Sequence, residues 1–267
     1  MSKDFKVLFL GDMVGRPGRS TTCKYLNSNR QNYDFVIANV ENASHGFGLT
    51  AKNHDELLKV GINCMTSGNH IWDKKDIFSY IDNSPAIVRP LNYHESVRGV
   101  GYREFLDGKI VVINLLGKTF MQPTYCPFLT LKNLAEEISF DNKIVIIDFH
   151  AEATAEKECM GYFAQSLGVK AVFGTHTHVQ TADEKILNNS CAYISDVGFV
   201  GGTGGVIGMD YEISLNRLIS QIPERFDVVK SKDTILNGVS VVFDLETGCA
   251  KQIERIKEEY KGEYDEA

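Results

Sequence analysis

The chain has 267 residues, 43% of them hydrophobic and 24% charged, which is enough material for one sizeable globular core. Its net charge of −7 excludes a protein built mainly to grip a nucleic-acid backbone, since that affinity comes from Lys and Arg neutralising phosphates; a single nucleotide stays compatible. No window approaches the roughly 20 apolar residues of a membrane span, the opening MSKDFKVLFLGD runs into a strand pattern without a cleavable signal, and the six cysteines form no CxxC pair. A cytoplasmic protein with reduced thiols is therefore expected.

In chain order, residues 6–10 are a short apolar run ending in Gly11-Asp12, and the polar stretch 17–26 reads as the helix that follows. Residues 35–38 end in Asn39-Val40-Glu41-Asn42 and precede a helix over 53–60. Residues 64–66 end in Ser67-Gly68-Asn69-His70 and precede a helix over 73–81. The runs 102–105 and 109–115, joined by Asp107-Gly108, predict a hairpin. Residues 127–138 read as a helix, 143–148 as a buried strand running into Phe149-His150, and 155–167 as a helix. The run 169–173 leads into GTHTHVQT, with His176 and His178. Residues 191–195 suggest another strand, the glycine-rich 198–208 a flexible loop near the site, and 239–244 with 250–256 a terminal hairpin.

Apolar strands alternating with helices give an α/β fold of layered, mixed β-sheets flanked by helices, because the hairpins exclude a purely parallel sheet. Neither a repeat nor a linker divides the chain. One domain over 1–267 is expected, with a small cap or loop around 117–127 and a solvated, frayed acidic tail over 258–267.

The strand ends carry Asp12, Glu41 with Asn42, Asn69 with His70, His150, and His176 with His178. Singly, Asp12 reads as a helix cap, Asn42 and Asn69 as turn residues, and His150 as a core histidine. Jointly they gain another meaning, since ligands in open α/β sheets bind outside the carboxyl ends of the strands. Carboxylates, amides and imidazoles form a mixed O/N donor set suited to Mn, Fe, Zn or Ni, and the surplus over one ion points to a two-metal clamp for phosphoester cleavage. His45 on the Glu41 loop reads by default as a solvated loop histidine, with the pocket wall as its functional alternative, and His54 and His94 read as surface residues. Arg16 and Arg19 lie close enough in sequence to Asp12 to contact a phosphate, Arg19 reading equally as a helix-surface residue.

Gly11-Asp12, Gly68-Asn69-His70, His150 and Gly174-x-His176-x-His178, in this order, resemble the calcineurin-like metallophosphoesterases. More closely, GDMVGRPGR, VENASHGFG, TSGNHIWDKK, DFHAEATAEK, GTHTHVQTAD and GGVIGMD resemble the YmdB-like branch, which is known as cyclic-nucleotide phosphodiesterases. Val14 stands where most of the superfamily has a histidine, and Glu41-Asn42 where a bridging Asp is usual, which shifts the expected metal toward harder ions. The resemblance implies an α/β/β/α sandwich and two transition-metal ions, Fe or Mn in preference to Zn. Asp12, Glu41, Asn42 and His178 would hold one ion and Glu41, Asn69, His150 and His176 the other, with a hydroxide between them and His70 as the acid at the leaving group. It also implies a small nucleotide substrate, and a homo-oligomer is unsurprising in such a family. The competing readings are a nucleotide-sensing regulator with vestigial catalysis, disfavoured by the complete ligand set, and a metal-dependent RNA-processing nuclease, disfavoured by the acidic charge.

Overall fold

A computed structural model describes residues 4–262. In chain order they form β1 (Asp4–Leu10), β2 (Asp12–Met13), α1 (Gly15–Asn29), β3 (Phe35–Asn39), α2 (Ala51–Lys59), β4 (Cys64–Thr66), β5 (Tyr102–Phe105), β6 (Ile110–Leu116), α3 (Pro127–Glu137), β7 (Ile144–His150), α4 (Thr154–Ser166), β8 (Ala171–Thr175), β9 (Lys185–Leu187), β10 (Cys191–Ile194), β11 (Phe199–Gly202), α5 (Tyr211–Ser220), β12 (Thr234–Asp244) and β13 (Ala250–Tyr260). One mixed sheet of seven strands runs β2-β11-β12-β1-β3-β4 with β13 beyond β12, and a second, of six, runs β5-β6-β7-β8-β10-β9.

The period of two along the strands sorts their side chains into layers. Val7 and Phe9 of β1 share a buried cluster with Ile110 and Val112 of β6 and Ile144 and Ile146 of β7, so the two sheets pack face to face. Phe9 meets Phe173 across this interface, with ring centroids 4.9 Å apart. The alternate residues Leu8 and Leu10 point the other way, into a layer with Tyr25 and Leu26 of α1 and Leu57 of α2. Val111, Ile113, Val145 and Ile147 likewise meet Leu131 and Leu134 of α3 and Met160 and Ala164 of α4. The result is the expected α/β/β/α sandwich of two mixed sheets flanked by helices. No helix among the described residues is long and apolar enough to cross a membrane.

Several local expectations change. The helix expected over 73–81 is only a 3₁₀ segment, Lys75–Ser79, held against the residues that lead into α2: Asp76 accepts the Ala51 amide at 2.6 Å and the Tyr80 hydroxyl donates to Leu49 O at 2.8 Å. The glycine-rich stretch is not all loop; Phe199–Gly202 is β11, paired with β12 and β2. The terminal hairpin is longer than its apolar core suggests, and Glu258 to Tyr260, expected in the frayed tail, are paired in β13; residues 263–267 of that tail lie outside the described residues. His54 is buried on the inner face of α2, with Nε2 2.7 Å from Ser84 Oγ, where a surface position was expected. All six cysteines are free.

Candidate metal centre

In one sheet β1, β3 and β4 run parallel, and in the other β6, β7, β8 and β10 do. Their C-terminal ends therefore share one edge of the sandwich, and every candidate ligand sits just beyond such an end. Asp12 lies in β2 after β1, Glu41 and Asn42 follow β3, Asn69 follows β4, His150 ends β7, and His176 and His178 follow β8.

These residues close on one point. Around His150 Nε2 lie Glu41 Oε1 at 3.0 Å, Asn69 Oδ1 at 3.1 Å and His176 Nδ1 at 3.1 Å. One ring nitrogen carries at most one proton, so it cannot satisfy three acceptors. The ligand atoms of Glu41, His150 and His176 all fall within 4.8 Å of one another, and a cation among them would answer every lone pair at once. A second group adjoins the first. Asp12 Oδ1 is 3.8 Å from His178 Nε2, Asn42 Nδ2 is 3.3 Å from the same nitrogen, and Asn42 Nδ2 is 3.4 Å from Glu41 Oε1. Glu41 thus stands at the join of the two groups. Asp12 Oδ1 and Asn42 Oδ1 are buried with no hydrogen-bond partner, which is costly for an acceptor unless a cation takes it. Gly68 makes the closure sterically feasible, because a Cβ there would lie 2.4 Å from both Glu41 Oε2 and His150 Nε2.

The electrostatics ask for positive charge at this spot. Burial pushes the Glu41 carboxyl up, yet the neighbouring His150 and the His70 amide at 2.9 Å outweigh it and hold it at about 2. Burial pulls His150 down, and Glu41 then Asp12 overcome this to raise it to about 9. Burial and the adjoining His150 depress His176 to about 3, so its ring offers a lone pair. Burial raises Asp12, against the pull of His178 and His150. A proton on His150 supplies the positive charge the carboxylates draw in, and a metal ion would compete with it for the same place. Behind His150, Nδ1 is 2.9 Å from Thr175 Oγ1, whose hydroxyl donates to Asp148 Oδ1 at 2.7 Å. That hydroxyl therefore accepts the Nδ1 proton, and Nε2 is left facing the cluster. Burial pushes Asp148 up to about 7.

The histidine loop is held in an unfavourable backbone conformation. His176 and His178 have φ of 99° and 64°, in the left-handed region that non-glycine residues avoid. Asp12 Oδ2 accepts the His176 amide at 3.1 Å, and Asp196 Oδ2 accepts both Thr177 N at 3.0 Å and Thr177 Oγ1 at 2.7 Å. Neither Asp196 nor its buried partner Lys157, 2.7 Å away, is among the residues expected from sequence. The signal was of the same kind as the others, since Asp196 follows the apolar strand β10.

His70 stands at the rim, its Nδ1 2.8 Å from Asp73 Oδ2 and its ring 4.7 Å from that of Phe47. It shares a cleft of about 460 Å³ with Glu41, Asn42, His176 and His178. The far wall comes from Ile207, in the glycine-rich stretch, and from Arg217 and Phe226 in the segment beyond it. That wall depends on α5, for which no element was expected; Asp210, whose Oδ1 caps the Ile213 amide at 3.1 Å, is the start signal that marks it. Among the described residues, 117–127 and His45 do not line this cleft. Arg19 is occupied by Ala43 O at 2.5 Å and Glu56 at 3.2 Å, and with Arg16 it lines a separate hollow. Val14 is buried and its amide donates to Val200 O at 2.8 Å.

Known proteins resemble this chain in sequence and in shape. The chain is 44% identical over 255 residues to the 2′,3′-cyclic-nucleotide 2′-phosphodiesterase of Bacillus subtilis (strain 168), a match covering 94% of this chain and 96% of that protein. A crystal structure of a hypothetical protein from Thermus thermophilus superposes with a TM-score of 0.90 at 33% identity, over 96% of this chain and 99% of that one. A crystal structure described as a novel phosphatase from Mycoplasma pneumoniae gives 0.89 at 37% identity, over 97% of this chain and 95% of that one. A family model described as YmdB-like protein matches residues 8–256, a span that takes in both sheets and every strand end of the cluster, so the chain belongs to the YmdB-like family.

Proposed function

We propose that the protein is a metal-dependent phosphodiesterase that opens the ring phosphodiester of a 2′,3′- or 3′,5′-cyclic nucleotide at a two-metal centre. The observation that carries this reading is the convergence of Glu41, Asn69 and His176 on His150 Nε2, with the buried, unpartnered oxygens of Asp12 and Asn42 beside them. The activity named for the B. subtilis relative and the phosphatase from M. pneumoniae support the reaction class. Glu41, Asn69, His150 and His176 would hold one ion and Asp12, Asn42 and His178 the other, with Glu41 shared. This oxygen-rich set favours Fe or Mn and admits Zn. Such ions, when bound, supply a hydroxide at neutral pH and neutralise charge growing on the phosphoryl oxygens.

The remaining work falls to the chain itself. Water adds to phosphorus, one ring P–O bond breaks, and the departing oxygen takes a proton, giving a nucleoside monophosphate. His70 lines the cleft with Nδ1 engaged by Asp73, so Nε2 is the atom that gives this proton. Chelator-stripped protein is expected to lose hydrolysis of bis-p-nitrophenyl phosphate and to regain it with Mn²⁺; no recovery with Mn²⁺, Fe²⁺ or Zn²⁺ would refute the metal-dependent reading. His70→Ala should cost about a hundredfold in kcat on a cyclic nucleotide, and far less on bis-p-nitrophenyl phosphate, whose nitrophenolate leaves without a proton. Equal losses on the two substrates would remove His70 from the acid role.

A further inference from the structure

The cleft is chemically divided. Its floor is the ligand cluster, while its far wall is apolar and aromatic. Phe47 lies 6.4 Å from Phe226, with the rings inclined by 41°, and the Arg217 guanidinium sits 3.9 Å over the Phe226 ring. The excursion that carries Arg217 and Phe226 is closed at its base, where Asp210 N donates to Asp227 O and Val229 N to Gly208 O. Arg217 also donates to Glu224 O, which braces the turn in front of Phe226. The ring is therefore held half-buried at the mouth of the cleft.

The polar groups of this wall are few and largely engaged. Ser214 Oγ donates to Asp210 O at 2.6 Å, and Arg217 faces its own turn and the Phe226 ring. With Arg217 over one face of Phe226, this wall offers the remaining aromatic surface of Phe226 and Phe47 for stacking and, among the described residues, few free polar groups for reading the edge of a base. A phosphate at the cluster leaves the rest of a substrate to lie along it, and a planar, weakly polar group gains most from that position. A cleft of about 460 Å³ has room for one such group beside the phosphate.

Resting on the cyclic-phosphodiester reading above, we infer that Phe226, stacked with Arg217 and facing Phe47, is the nucleobase subsite, and that it holds the base by stacking without selecting its identity. Any base supplies a π-face, so purine and pyrimidine substrates are both accepted. The specificity lies in having a base at all.

The test compares kcat/KM of the Mn²⁺-loaded protein for 2′,3′-cyclic AMP, 2′,3′-cyclic CMP and the base-free glycerol 1,2-cyclic phosphate. The parent protein is expected to favour both nucleotides over the base-free ring by about ten- to a hundredfold, the range that stacking one base is worth, and to separate the two nucleotides by less than that. Phe226→Leu keeps apolar bulk and removes the ring; it should collapse the ratio of nucleotide to base-free substrate toward one. A parent ratio near one, a ratio unchanged in Phe226→Leu, or a preference between the two bases larger than the preference for having a base would overturn the subsite. Hydrolysis of bis-p-nitrophenyl phosphate but of none of the three cyclic substrates would instead sink the cyclic-nucleotide reading, and this inference with it.

Discussion

Glu41→Gln is expected to lower turnover of bis-p-nitrophenyl phosphate by about a thousandfold at saturating Mn²⁺, several kcal/mol of transition-state stabilisation. Glutamine has nearly the same shape, although the buried carboxylate it replaces also pairs with His150 and accepts the His70 amide. What changes is the charge at the join of the two donor groups, where Oε1 lies 3.0 Å from His150 Nε2 and 3.4 Å from Asn42 Nδ2. The carboxylate is held ionised at about 2 by His150 and the His70 amide, which marks it as the principal negative charge of the cluster. An amide there offers one neutral oxygen in its place and aims an NH₂ at groups that already include donors. Metal content measured on the purified variant should fall together with the rate, and the stripped variant should melt somewhat below the stripped parent, because His150 loses its buried carboxylate partner. Activity within tenfold of the parent at normal metal content would mean that Glu41 does not bridge, and the two-ion assignment would have to be redrawn around Asp12.

The legibility of the site in sequence has a physical basis. Asp12, Glu41, Asn69, His150 and His176 each follow a short apolar run, and parallel strands bring such ends to one edge of their sheet. The grouping within each sheet can therefore be anticipated without knowing the strand order, while the meeting of the two sheets' edges comes from the sandwich. The layering is legible for a similar reason: in 144–147 and 110–113 every residue is apolar, as strands covered on both faces require. Other features give weaker local signals. Strand β2 has only two residues, and nothing in Asp12-Met13 distinguishes a strand from a loop; it exists because β11 pairs with it. Strand β11 is Phe-Val-Gly-Gly, whose glycines argue against a strand until β12 supplies the ladder. Helix α5 leaves Leu218 and Ile219 exposed, 79% and 73%, so its apolar residues do not mark a buried stripe and its periodicity misleads. The roles of Thr175 and Asp148 come from contacts behind the candidate ligands, between residues far apart in sequence, and residue spacing carries no trace of them. Asp196 does follow an apolar strand, but its partners Lys157 and Thr177 are not legible from that position.

Asp196 therefore supports the second large effect, this time on stability. Its Oδ2 accepts Lys157 Nζ at 2.7 Å, Thr177 N at 3.0 Å and Thr177 Oγ1 at 2.7 Å, and its Oδ1 accepts Gly198 N at 2.8 Å. One carboxylate thus ties α4, the strained histidine loop and the turn into β11, and both charges are buried, Lys157 being 2% exposed and Asp196 1%. Removing one partner of such a pair leaves the other charged and unpaired in the interior. Asp196→Ala is thus expected to destabilise the protein by about 3–5 kcal/mol, a fall in melting temperature on the order of 10 °C for a chain of this size. Adding Lys157→Met to the same protein removes the stranded ammonium and should recover a large part of that loss. It should not recover metal binding, because Thr177 would still lack the acceptor that holds His176 and His178 at positive φ. Thermal melts and metal titrations of the single and double variants separate these two contributions. A single variant melting within about 2 °C of the parent would show that water reaches Lys157, and a double variant that binds Mn²⁺ like the parent would show that the histidine loop keeps its shape without Asp196.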